Sequence, residues 1–438
     1  MKFLIKPIFF VFALLFATYI VLYVEKLKPS DLKAFQGLFI KDNLILKSKN
    51  YPIKPAKGAL SDEEIYYANI AWNYFVNNYN ENTGLVNGKD KCPEFTFGDL
   101  TCYLMGMLSA YEIGIIGSVE VEKRINKLFG TLEKIELYEN KLPNIKYHAV
   151  SLKMLDLDGK EFPEGIGWSA LDLGRFFCFV NKINFHYPQY QPALRRLLKR
   201  WKMNEMIKNG FLQGMVYQSK KKKFELTQEG RLGYEEFSGK SLYRAGFDVT
   251  ETINYNDFIK FIDVYGCRIG VDARETRNQN SNNYILSDPY YLDGLEYGWD
   301  LNSKELGYRV FLAQKARYVE TGILTATGED FTDDPANYIY YSIYANFNKW
   351  VCYDQKGNKR NDLRMLSTKT GFAWYVLYED QYVDILFSGV KDLYDSKRGW
   401  YAGRYESSGK INKSISASTN GIILEALNYK KNGIIIKY

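Results

Sequence analysis

Three stretches of the chain follow the same order: the end of an apolar helical pattern, a Gly-x-x-x-Gly turn, a polar stretch, and a new helix. They are Thr83-Gly84-Leu85-Val86-Asn87-Gly88 ahead of a helix with Asp99, Asn209-Gly210-Phe211-Leu212-Gln213-Gly214 ahead of Tyr234-Glu235-Glu236, and Arg398-Gly399-Trp400-Tyr401-Ala402-Gly403 ahead of Thr419-Asn420-Gly421. Glycine ends many helices, but three occurrences in like context predict repeated helical hairpins. A capping box at Ser61-Asp62-Glu63-Glu64 starts the first helix. Helical periodicity recurs near 99–115, 118–137, 167–185, 190–203, 234–246, 289–299, 303–321, 338–347, 367–378, 381–393 and 417–430. Strand-like patches are confined to 211–218, 222–227 and 400–405. About twelve helices paired as hairpins predict an all-α fold, an (α/α)6 toroid over 61–438 with decorated loops and short β-hairpins. Such a ring gathers its long loops at one end, around a central cleft.

Charge is unevenly spread. The chain has 58 Lys+Arg against 51 Asp+Glu, a net of +7, and ten lysines against Glu25, Asp31 and Asp42 place all of it in residues 1–60. The body is neutral, which argues against nucleic acid as a partner. Lys2 and Lys6 precede the uncharged run 8–24, about 25 Å long as a helix. No small-x-small cleavage site follows it, so the run is expected to be an uncleaved transmembrane signal anchor. It would follow a cytoplasmic tail at 1–7 and precede a tether at 25–60, with the body facing the periplasm or the cell exterior from the inner membrane.

Metal and nucleophile chemistry find little support. The chain has only His148 and His186, which nearly excludes a histidine-based zinc site, and no metal or other cofactor is expected. Cys92, Cys102, Cys178, Cys267 and Cys352 are an odd count rather than a disulfide framework. Cys92 and Cys102 could bridge or could remain buried thiols. The glycines around Gly233 and Gly239-Lys240-Ser241 have the wrong spacing for a phosphate loop.

Carboxylates at helix starts are the stronger signal. Gly230-Arg231-Leu232-Gly233-Tyr234-Glu235-Glu236 offers two acids beside Tyr and Arg, either a general acid with a substrate clamp or first-turn acids that suit the macrodipole. Asp99 is placed like Glu235 in the repeat, and Glu296 follows the cap-like Asp288-Pro289. Glu329-Asp330-Phe331-Thr332-Asp333-Asp334 is an acidic cluster without EF-hand spacing, either a solvated loop or a weak Ca²⁺ site. Two carboxylates suffice for glycoside hydrolysis without a cofactor. The candidate catalytic residues are therefore Glu235, Glu236, Asp99 and Glu296, with Trp168, Arg231, Tyr234, Tyr290, Tyr291, Trp299 and Trp400 as candidate sugar contacts.

The body resembles the bacterial domain of unknown function family 3131. The resemblance rests on Ala71-Trp72-Asn73-Tyr74-Phe75, Gly167-Trp168-Ser169-Ala170-Leu171-Asp172-Leu173-Gly174-Arg175, Glu229-Gly230-Arg231-Leu232-Gly233-Tyr234-Glu235-Glu236, Asp288-Pro289-Tyr290, Leu366-Ser367-Thr368-Lys369 and Thr419-Asn420-Gly421-Ile422-Ile423-Leu424-Glu425, in order along nearly the whole body. The family is similar to six-hairpin glycosidases and often accompanies exopolysaccharide machinery. The resemblance therefore implies a glycan-active protein outside the cytoplasm, with a polysaccharide ligand and exopolysaccharide synthesis or export proteins as partners. Hydrolysis of an exopolysaccharide is the leading expectation, and non-catalytic polysaccharide binding or assembly is the alternative.

Overall fold

The computed structural model describes residues 14–19, 48–56, 58–218, 223–229, 231–274 and 283–437. Its helices are α1 (Asp62–Asn77), α2 (Phe97–Ile113), α3 (Ser118–Leu132), α4 (Ala170–His186), α5 (Gln191–Leu198), α6 (Tyr234–Arg244), α7 (Asp288–Tyr297), α8 (Leu301–Thr321), α9 (Thr368–Leu377), α10 (Gln381–Val390) and α11 (Ala417–Asn432). Six of them close a ring, each packing on the next in the order α2, α4, α6, α7, α9, α11 and back to α2. These inner helices are buried nearly all round, as in α2, where small and apolar residues occupy every face. Where α2 meets α11 the backbones nearly touch, and a Cβ on Gly106 would stand 2.9 Å from the Gly421 Cα.

The outer layer alternates with the inner one along the chain. α1, α3, α5, α8 and α10 each precede the inner helix that follows them, with α3 and α5 turning an apolar stripe inward and charged residues outward. Before α7 the alternation breaks. The hairpin Ile259–Val264/Cys267–Asp272 stands where another outer helix would be, and packs on α8. The core is one continuous apolar cluster running through both layers.

Two expectations require correction. The fold is mixed rather than all-α, because the connections are built from strands: eighteen strands in seven small sheets among the described residues. Tyr338–Ala345, expected as helix, is the central strand of a three-stranded sheet between Gly328–Phe331 and Asn348–Asp354. Its run of Tyr, Ile and Ser suits a strand packed on both faces, and a short apolar run without polar punctuation has no diagnostic period. The second correction concerns the anchor. Apart from a helical stretch at 14–19, residues 8–24 lie outside the described residues. Among the described residues no helix is long and apolar enough to cross a membrane.

Residues 48–54, expected as tether, lie against the body. Tyr51 donates to Glu305 at 2.6 Å, Ser48 donates to the same carboxylate at 3.2 Å, and the Lys54 N–H donates to the Leu377 carbonyl at 2.9 Å. All five cysteines are free, so Cys92 and Cys102 are not bridged.

Candidate active site

All six inner helices present their N-terminal turns to one cleft of about 260 Å³. Thr96 and Asp99 come from α2, Ser169 and Asp172 from α4, Tyr234 from α6, Asp288 from α7, Lys369 from α9 and Ser418 from α11. Each helix brings unsatisfied N–H groups and the positive end of its dipole. Convergence of six such ends favours carboxylates, and Asp99, Asp172, Glu229, Asp288 and Glu329 all line the cleft, with Arg175, Arg231 and Lys369 among them.

Three inner helices carry an acid at the third helical position: Asp99 in α2, Asp172 in α4 and Glu236 in α6. Asp99 folds back on its own cap, accepting from the Thr96 N–H at 3.0 Å and the Thr96 hydroxyl at 2.9 Å. Glu236 does likewise and accepts from the Gly233 N–H at 2.6 Å. Asp172 does not. Its N–H donates to the Ser169 hydroxyl at 3.2 Å, but its carboxyl makes no capping bond and faces the cleft. Burial, then the charges of Glu229, Asp99 and Glu329, pushes it up to about 7. Burial also raises Asp99 and Glu229, against the hydrogen bonds each accepts.

The flanking groups are tied down. Glu229 accepts from the Ala170 N–H at 2.7 Å and the Ser169 hydroxyl at 3.2 Å, which places it at the α4 N-terminus. Glu329 sits on the Gly328–Phe331 strand, taking a hydrogen bond from the Tyr234 hydroxyl at 2.5 Å and facing Arg231 at 3.5 Å. Arg231 in turn lies over the Tyr340 ring at 5.1 Å. Lys369 pairs with Asp288 at 2.7 Å and stands 3.6 Å from Asp330. Burial pushes Asp330 up to about 7, against the attraction of Lys369.

The repeated glycines serve this site. Gly84 and Gly210 turn the chain at φ +74° and +76°, a region open to glycine. In the first two units the second glycine admits a cleft carboxylate: a Cβ would stand 2.6 Å from Asp99 Oδ2 at Gly88 and 2.3 Å from Glu229 Oε1 at Gly214, whereas Gly403 of the third unit faces the Leu366 carbonyl.

The structure brings together only some of the expected site residues. Asp99, Arg231 and Tyr234 line the cleft. Glu235 does not. It lies 2% exposed in the core and takes the Arg274 guanidinium, which also binds Asp272 at 2.7 Å. Glu236 points to its own cap, and burial followed by the Glu235 charge pushes it up to about 8. Glu296 is buried deeper in the ring beside Glu425, and burial raises both, more strongly for Glu425. Trp168, Tyr290, Tyr291 and Trp400 are core residues, and Trp299 stacks on Tyr378 at 5.8 Å. The cleft's aromatics are instead Tyr234, Phe331, Tyr338 and Tyr340. Asp172, Glu229 and Glu329 were missed as site residues. The available signal was spacing, since Ser169-x-x-Asp172 repeats Thr96-x-x-Asp99.

The sequence profile of DUF3131, described as a protein of unknown function, matches residues 66–433. The chain belongs to this family. No curated protein matches it. This DUF3131 chain is similar in structure to a glucoamylase-like protein from Bacteroides caccae, with TM-score 0.62 and 11% identity over 85% of this chain and 94% of the other. It is also similar to the endo-beta-1,2-glucanase from Chitinophaga pinensis, solved with sophorotriose and glucose, with TM-score 0.59 and 13% identity over 86% and 94% of the two chains. The endo-beta-1,2-glucanase from Talaromyces funiculosus, solved with sophorose, aligns with TM-score 0.56 and 10% identity over 85% and 84%. At such identity the likeness is one of fold: the DUF3131 chain has a glycoside hydrolase-like fold.

Proposed function

We propose that this protein hydrolyses glycosidic bonds in a polysaccharide, with Asp172 as general acid and Glu329 as the carboxylate that activates water. The observation that carries the reading is the Asp172 carboxyl, open to the cleft and pushed up to about 7 where the neighbouring Asp99 is held by its cap. A carboxyl that keeps its proton near neutral pH can deliver it to a leaving oxygen. Glu329 comes from the insertion before α9, which stands opposite α4 in the ring. A sugar bound between α4 and that insertion has an acid on one side and a carboxylate on the other, the pairing glycoside hydrolysis uses. Tyr234 and Arg231 fix Glu329 in place.

The fold of the glucoamylase-like and β-1,2-glucanase neighbours supports this class, and their glucans are the first substrates to try, with exopolysaccharide alongside. The test is release of reducing ends by the full chain and by Asp172→Asn and Glu329→Gln variants. Loss of release in both, with glycan binding retained, is the expected result. Binding by the wild type without new reducing ends would establish the non-catalytic alternative.

A further inference from the structure

Two turns from opposite sides of the ring meet above the cleft. One, at 155–161, belongs to the connection that leads into α4. The other, at 353–359, belongs to the insertion that leads into α9. Leu157 and Gln355 at their tips both line the cleft, and the neighbouring Asp158 and Lys356 approach to 4.0 Å across it. That exposed ion pair contributes little by itself; the placement of the two backbones is what matters.

Both turns are preformed. The first is closed by a bridge between Leu155 and Glu161, and Asp156 holds the Lys160 N–H at 2.9 Å. The second is closed by a bridge between Tyr353 and Lys359, and Asp354 accepts from the N–H groups of Lys356 and Asn358 at 2.9 and 2.8 Å. Lys146 adds a tie to the Leu157 carbonyl at 3.3 Å. The roof is therefore a fixed part of the mouth.

An open groove for internal attack needs room for a chain to enter and leave on both sides. Here about 260 Å³ lies beneath the two turns, below the roughly 300–1,000 Å³ usual for drug-sized ligands. Resting on the reading of the cleft as a glycan site, we infer that it admits the end of a glycan chain and excludes internal stretches. Leu157, 64% exposed and apolar, would cover the terminal sugar from above, and Phe331, Tyr338 and Tyr340 supply ring faces beneath.

The probes are linear and cyclic glucans of the same linkage: sophoro-oligosaccharides against cyclic β-1,2-glucan, and maltoheptaose against β-cyclodextrin. Binding to the full chain is measured by calorimetry, and hydrolysis by reducing ends. The wild type is expected to bind or cleave a linear member and lose both responses on its cyclic counterpart. A variant with the 354–358 tip shortened to Gly-Gly, which withdraws that backbone from the roof, should gain the cyclic one. Equal handling of both by the wild type would overturn the inference and leave the glycan site standing. No response to any glucan or to exopolysaccharide would overturn the glycan reading, and this inference with it.

Discussion

Replacing Asp172 with asparagine should remove activity and stabilise the protein, and the stabilisation should depend on pH. Burial and the charges of Glu229, Asp99 and Glu329 take this carboxyl from an ordinary value of 3.8 to about 7. That is roughly a thousandfold in proton affinity, or about 4 kcal/mol at ~1.36 kcal/mol per tenfold. Because the side chain opens to the cleft, solvent reduces this to about 2–4 kcal/mol. The folded value lies above the unfolded one, so the native state binds the proton more tightly. Stability is then lost as pH rises from about 4 towards 7, and the full cost stands above 7. The amide never ionises and escapes that cost. Urea unfolding of wild type and Asp172→Asn at pH 4.5 and pH 8 should show little difference at the lower pH and about 2–4 kcal/mol in favour of the variant at the higher. A difference independent of pH would mean that Asp172 ionises ordinarily, and would remove it as the acid.

Activity itself should fall as pH rises through about 7, where Asp172 loses its proton, and a pH–rate profile checks this. Glu235→Gln should destabilise the protein by about 3–5 kcal/mol in urea, because it uncouples the buried Arg274 pair. The variant molecules that remain folded should keep their turnover. Lys369→Met leaves Asp288 and Asp330 buried without their cation, with a similar expected loss of about 3–5 kcal/mol. Glu425→Gln relieves a pair of buried acids, both raised by burial, and should be more stable than wild type at pH 8 and equal to it at pH 4.

Helical hairpins were legible because glycine and cap positions mark them directly. Elsewhere two signals compete for the same residues. Tyr338–Ala345 is apolar on both faces, so periodicity could not separate strand from helix, and with it went the cleft aromatics Tyr338 and Tyr340. Glu235 and Glu236 drew attention as adjacent acids at a helix start, yet one neutralises Arg274 and the other closes a capping box. Asp172 stood in the same position of the repeat, and only the direction of its side chain distinguishes it. That direction depends on the third dimension, as does the meeting of Glu329 with Tyr234 across 95 residues. Trp168 and Trp400 look in sequence like sugar platforms, but each spends its indole N–H on a backbone carbonyl in the core.

The seam between α2 and α11 gives the ring a direction in time. Gly106 and Gly421 bring the two backbones together, joining the first inner helix of the circle to the last one. A nascent chain that has not yet reached residue 417 lacks Ser418 and Ile422 and leaves α2 open on one flank. Cleft formation therefore waits for α11, and a product truncated before it is expected to be an unfinished arc with the cleft incomplete.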